Sequence, residues 1–130
     1  MTVADDTTND IEDTFLKAAD LLSKDKGSKA VSMFCALQAA ERSLNTLVDI
    51  KEGPGSHKKY QHQFSAKLSI AEISIPSGDM TVWRAIDRFG LFTALRYEPE
   101  LVEPLIQPTK IMSMARRIVS EATRQSSFAR

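Results

Sequence analysis

The sequence predicts an all-α protein, an irregular bundle of five or six helices around one central apolar helix at about 28–50. Apolar residues recur along most of the chain at intervals of three and four, which is the spacing of one helix face. Only the segment 63–75 also alternates apolar and polar residues as a short strand does. The 130 residues, 42% of them hydrophobic, suffice for one domain that buries a core without disulfides or metals.

The central helix carries the strongest pattern in the chain. Ser28 is suited to cap it, and the Gly-Pro-Gly segment 53–55 ends it. Between 30 and 40 its other faces are also apolar, and a helix that is apolar nearly all round is normally surrounded by others. Its seam consists of Ala30, Met33, Leu37, Ala40, Leu44 and Leu47.

The predicted domain spans residues 10–125, between an acidic mobile tail at 1–9 and a flexible C-terminus at 126–130. The tail is rich in Asp, Thr and Asn and has nothing to bury. Asn9 and Glu12 fit a capping box for a first amphipathic helix, which Gly27 ends.

The middle of the chain is less regular. We favour a helix over about 57–73, since a lone strand lacks a partner for its backbone groups. A further helix follows the capping residues 77–79, and Gly90 within it indicates a break into two short helices.

The last third of the chain contains three prolines that bound its helices. A short helix is predicted over Glu100–Ile106, ended by Pro108, after which Thr109 caps a final helix. The apolar side of this last helix consists of Ile111, Met114, Ala115, Ile118 and Ala122.

The net charge is zero, with 17 basic and 17 acidic residues, yet the charges are segregated. Residues 1–26 carry seven acids against three lysines, whereas 110–130 carry five basic residues against one acid. The balance excludes indiscriminate attraction of the whole protein to nucleic acid or anionic membranes. Local patches of either sign remain, and their opposition at the two ends favours assembly.

The cellular compartment is predicted from cysteine usage and hydropathy. Cys35 is the single cysteine, so no intramolecular disulfide can form, and its apolar surroundings favour a packing role over a reactive thiolate. No apolar run approaches the roughly 18 residues of a membrane span, and the acidic start does not look like a signal peptide. These features predict an intracellular, cytoplasmic protein.

The sequence offers little for catalysis, and we predict that the protein is not an enzyme. His57 and His62 are five residues apart, where a helical metal site needs four, and they are predicted to be solvated. No nucleotide-binding loop or nucleophile elbow occurs. We therefore assign no catalytic residue, metal, cofactor or small-molecule substrate.

The leading functional hypothesis is a helical protein-protein interaction or assembly module that self-associates or docks another protein. Trp83, Phe92 and Tyr97 are its candidate apolar anchors. The last helix carries a basic patch that consists of Lys110, Arg116, Arg117 and Arg124. This patch could pair with the acidic first segment, either within the fold or between two copies.

The segment Met80–Leu91 supplies an alternative. It resembles the recognition helix of helix-turn-helix and winged-helix regulators, and residues 69–73 resemble the helix that precedes it. The resemblance implies that Thr81 and Arg84 face DNA and that Arg88 meets a phosphate. The alternative function is thus a small nucleic-acid-binding protein that uses 69–91 and the basic last helix, while an ordinary amphipathic core helix explains the same pattern.

Overall fold

The computed structural model describes residues 16–17, 29–102 and 105–128. These residues contain no strand, so the all-α prediction is confirmed and the possible strand within 63–75 does not form. The predicted tail and first helix lie outside the described residues, apart from the helical Leu16 and Lys17. The elements with defined ends are α1 (Lys29–Glu52), a 3-10 helix (Ser56–Tyr60), α2 (Phe64–Ala71), α3 (Ser77–Arg88), α4 (Leu91–Tyr97), α5 (Pro99–Val102) and α6 (Pro108–Phe128).

Helix α1 is the central element, as its pattern predicts. It packs most extensively against α6 and also contacts α2, α4, α5 and the 3-10 helix. All six residues of its predicted seam are buried. Because neighbours surround α1 on several sides, it organises one hydrophobic core.

Helix α6 presents its predicted apolar side to the core and leaves Arg116 and Arg117 exposed. It begins at Pro108, because the Gln107 carbonyl accepts the N–H groups of Lys110 and Ile111. Pro108 therefore starts this helix rather than ending the preceding one, in a position where its fixed φ suits the first turn.

The helix before α6 is shorter than predicted. Helix α5 spans Pro99–Val102, and Leu105 and Ile106 are not helical, whereas the prediction was 100–106. Helix α6 continues to Phe128.

The single helix predicted over 57–73 is divided in two. The chain leaves the 3-10 helix through Gln61, whose φ is 48°, and α2 starts at Phe64. The Asp87 carboxylate of α3 accepts the N–H groups of Phe64 and Ser65, both at 2.7 Å. This cap comes from another helix, which explains why the local pattern does not reveal the start of α2.

Gly90 separates α3 from α4, which confirms the predicted break. Its φ of 59° lies in the left-handed region, which glycine adopts without a steric penalty. In the middle of α3 the ring of Trp83 stacks on Phe64 at a centroid distance of 4.8 Å, which packs α3 against α2.

A lysine of α2 is buried in the core beside a glutamate of α1. Lys67 is 1% exposed, and its Nζ lies 3.7 Å from Oε2 of Glu41. The same ammonium donates to the Gln61 carbonyl. Burial lowers the pKa of Lys67, and the Glu41 carboxylate opposes that shift. The apolar periodicity of the sequence gives no sign of this ion pair.

We expect Leu37→Ala to lower the free energy of unfolding by about 2 to 5 kcal/mol, because it opens a cavity in the centre of the bundle. Urea denaturation followed by circular dichroism measures this change. Val31→Ala is the matched control on the same helix, because Val31 is 51% exposed, and should cost less than about 0.5 kcal/mol. A cost below about 1 kcal/mol for Leu37→Ala would contradict the central placement of α1.

We also expect Glu41→Ala to destabilise the fold by about 3 kcal/mol, because it leaves the Lys67 ammonium buried without its counter-charge. The double variant Glu41→Leu with Lys67→Met should recover most of that loss in the same urea experiment.

The loss in Glu41→Ala should shrink as the pH rises. A lowered pKa in the folded state means that the unfolded chain binds the Lys67 proton more tightly, so stability increases with pH between the folded and the unfolded pKa. Because Glu41 opposes the lowering of this pKa, the variant without Glu41 has the lower folded pKa and gains more stability as the pH rises than the wild type does. A loss that stays constant up to about pH 10 would show that Lys67 is not its source.

Candidate functional site

A cleft of about 260 Å³ opens between α1, α4 and the turn that precedes α2. We call it the aromatic cleft. Its apolar walls are Phe34, Phe92 and Tyr97, and its polar groups belong to Gln38, Glu41, His62, Thr93 and Arg96.

The aromatic wall of the cleft is an extension of the core. The rings of Phe34 and Phe92 have centroids 5.1 Å apart, and Phe92 also lies 5.6 Å from Phe64 of α2. The imidazole of His62 meets Phe92 edge-on, at 5.4 Å and 82°. Such tilted and edge-to-face contacts are favourable aromatic geometries, so this wall is held in place from behind.

A carboxylate–imidazole pair lies on the polar side of the cleft. Oε2 of Glu41 is 2.6 Å from Nδ1 of His62. The Glu41 side chain is only 11% exposed, whereas that of His62 is 62% exposed. In neutral His62 this contact places the proton on Nδ1, so Nε2 is an acceptor; in the charged form both nitrogens donate.

His57 forms a similar pair elsewhere on α1. Its Nδ1 lies 2.8 Å from Oδ1 of Asp49, and its backbone N–H donates to the same oxygen. Burial raises the pKa of Asp49, but the hydrogen bonds from His57 outweigh burial and lower that pKa overall. Of the two histidines predicted to be solvated, His62 is exposed and His57 is half-buried, and each imidazole is paired with a carboxylate of α1.

The two histidine pairs do not combine into a metal site. Within the part of the chain that the structure describes, no group of three His, Cys, Asp or Glu side chains could hold a metal ion. Cys35 is half-buried, and burial raises the pKa of its thiol, as expected for a packing role.

Arg96 and Tyr97 form the exposed rim of the cleft. The guanidinium of Arg96 lies over the Tyr97 ring, 5.7 Å from its centroid, and Tyr97 is 70% exposed. Arg96 makes no ion pair with any residue in the described ranges. Since Lys67 neutralises Glu41 from behind, the charge that the cleft offers to a ligand is positive.

The structure brings two of the three predicted anchors together. Phe92 and Tyr97 both line the aromatic cleft. Trp83 is fully buried and stacked on Phe64, so it is a core residue and not a surface anchor. The spacing of the aromatic residues along α3 and α4 does not distinguish a buried ring from an exposed one, and only the packing separates them.

The predicted basic patch on α6 is partly neutralised. The Lys110 ammonium contacts the Asp79 carboxylate of α3, and Arg124 pairs with Glu121 one turn earlier. The hydrogen bond from Arg124 lowers the pKa of Glu121. Arg116 and Arg117 are exposed, and the acidic first segment that was expected to face them lies outside the described residues.

The residues of the helix-turn-helix alternative share one face of α3. Thr81, Arg84 and Arg88 follow one another at intervals of three and four, and all three are exposed. The Thr81 hydroxyl donates to the Ser77 carbonyl, and the Arg88 guanidinium lies 5.5 Å from the centroid of the Phe89 ring.

Two findings concern more than the cleft. Across the described ranges, no helix is long and apolar enough to cross a membrane. A comparison of the chain with protein-family models, curated proteins and solved structures finds no match.

Proposed function

We propose that the protein is a helical interaction module that self-associates or docks another protein through the surface around the aromatic cleft. The observation that carries this proposal is Tyr97, a large aromatic side chain that is 70% exposed at the rim of a cleft walled by Phe34 and Phe92. Aromatic residues next to a pocket are frequent energetic anchors of protein interfaces.

Other apolar side chains are exposed as well, and they carry less weight. Val31, Ile50, Phe89 and Leu105 are between 50% and 66% exposed, but none of them lines the aromatic cleft. Single exposed apolar residues are normal on soluble proteins. The position of Tyr97 beside other aromatic rings is what distinguishes it.

Charge supports a second copy of the chain as the partner. Residues 1–26 carry a net negative charge and residues 110–130 a net positive charge. Patches of opposite sign on one chain can meet between two copies, where they bias orientation and register. The proposal places this assembly in a reducing cytoplasm, because Cys35 is the single cysteine, and it assigns the protein no catalytic role.

Light scattering across a concentration series should detect a dimer or larger species. Tyr97→Ala should raise the dissociation constant of that species at least about tenfold, as expected for an interface anchor. Phe89→Ala is the matched control, because Phe89 is similarly exposed, at 66%, but does not line the cleft.

A strict monomer at high concentration would contradict self-association and leave only another protein as the partner. An equal effect of the two substitutions would contradict the assignment of Tyr97 as an anchor.

The second candidate function is nucleic-acid binding through α3. It is favoured by the shared exposed face of Thr81, Arg84 and Arg88, and neither arginine forms an ion pair with a residue that the structure describes. Cations left unpaired on one helix face are what contacts to phosphates require.

If this alternative holds, the affinity for duplex DNA should fall about tenfold or more between 50 and 200 mM salt. The variant with Arg84→Ala and Arg88→Ala should lose binding while its urea unfolding curve stays that of the wild type. Lys59→Ala, at an exposed lysine of the 3-10 helix, serves as the control. Salt-insensitive binding in a fluorescence anisotropy titration, or no binding, would reject this function.

A further inference from the structure

We infer that the aromatic cleft is a binding pocket for a small aromatic carboxylate, a molecule with one ring and a short acidic arm. The pocket shares Tyr97 with the proposed interface, and it is open in a single copy of the chain. The size of the cleft, its charge and its walls each lead to this ligand class.

Volume limits the part of a ligand that the cleft can enclose. An enclosed apolar cavity of about 150 Å³ accommodates benzene, whereas sites for drug-sized molecules and cofactors begin at about 300 Å³. The aromatic cleft has about 260 Å³. It therefore has room for one ring and a few more atoms, and it is too small to enclose a nucleotide.

Charge decides between an acid and an amine. Three aromatic walls attract cations, and Glu41 would add to that attraction if its charge were available. However, Oε2 of Glu41 is already shared between Nδ1 of His62, at 2.6 Å, and the buried ammonium of Lys67, at 3.7 Å. Arg96 lines the same cleft, and its guanidinium forms no ion pair among the described residues. The Arg96 guanidinium would repel an ammonium ligand, whereas a carboxylate would form an ion pair with it.

The walls supply the preference for a ring. Phe92 is nearly buried and holds Phe34 in place, so the half-buried ring of Phe34 and the exposed ring of Tyr97 are the aromatic surfaces that a ligand can reach. Tyr97 stands exposed at the opening, where a bound ring would cover part of it. An aromatic acid thus gains apolar contact at the wall and a charge-assisted hydrogen bond at Arg96.

The probe we choose is 3-phenylpropionate, titrated into the full chain and followed by two-dimensional ¹H–¹⁵N NMR at pH 7. Its matched probes are 3-phenylpropanamide, which keeps the ring without the charge, and propionate, which keeps the charge without the ring. We expect saturable shifts at the backbone amides of His62, Thr93 and Arg96. The acid with the ring should bind about tenfold more tightly than the amide, the usual effect of losing one charged hydrogen bond. It should also bind more tightly than propionate, which lacks the apolar contact of the ring.

Two pairs of variants then locate the site. Arg96→Gln should raise the dissociation constant of 3-phenylpropionate about tenfold, whereas Arg84→Gln, an exposed arginine outside the cleft, should leave it unchanged. Tyr97→Ala should weaken binding, and Phe89→Ala should not.

All four side chains are exposed, so the substitutions leave the core intact. Equal binding of the acid and the amide, an unchanged dissociation constant in Arg96→Gln, or no saturable shift with the wild type would each overturn the inference.

Discussion

The fold depends on the way in which the short helix α2 is held at both ends by other helices. Eight residues are too few for a helix to be stable on its own in water. The Asp87 carboxylate of α3 accepts its first two N–H groups, while Lys51 of α1 and Gln125 of α6 donate to the Ala71 carbonyl at its other end. Three helices that are distant in sequence therefore converge on one short segment, and α2 joins them.

The same helix connects the core with the aromatic cleft. Its first residue, Phe64, stacks on Trp83 on one side and contacts Phe92 on the other. Its buried Lys67 contacts Glu41, which in turn binds His62. A displacement of α2 would disturb the aromatic wall and the carboxylate–imidazole pair together. The geometry of the cleft is therefore a consequence of core packing, which is more rigid than a surface loop.

Sequence periodicity predicted the elements whose burial is encoded locally. The seam of α1 and the apolar side of α6 are both buried as expected, because regular spacing on a long helix specifies one face. Gly90 marked the break after α3, since a left-handed residue favours glycine. The limits of α2 could not be predicted in this way, because its N-terminal cap is Asp87, 23 residues from Phe64.

The cleft was predictable only in part. Phe92 and Tyr97 were predicted as anchors because they are large aromatic residues, but the same criterion also selected Trp83, which is buried in the core. His62 and Glu41 are 21 residues apart in the sequence, and no local pattern predicts that they pair. Only the packing of the turn before α2 against α1 brings the two side chains together.

The ion pairs and helix caps of the fold show which charged side chains of this neutral chain have a partner. Internal contacts occupy several acids: Asp79 binds Lys110, Glu72 lies near Lys51, and Asp87 is used as a helix cap. On α3 and α4 this leaves Arg84, Arg88 and Arg96 without an acidic partner in the described part of the chain. Because the fold uses acids for its own architecture, a chain with a balanced total charge still presents basic side chains without an acidic partner on these two helices.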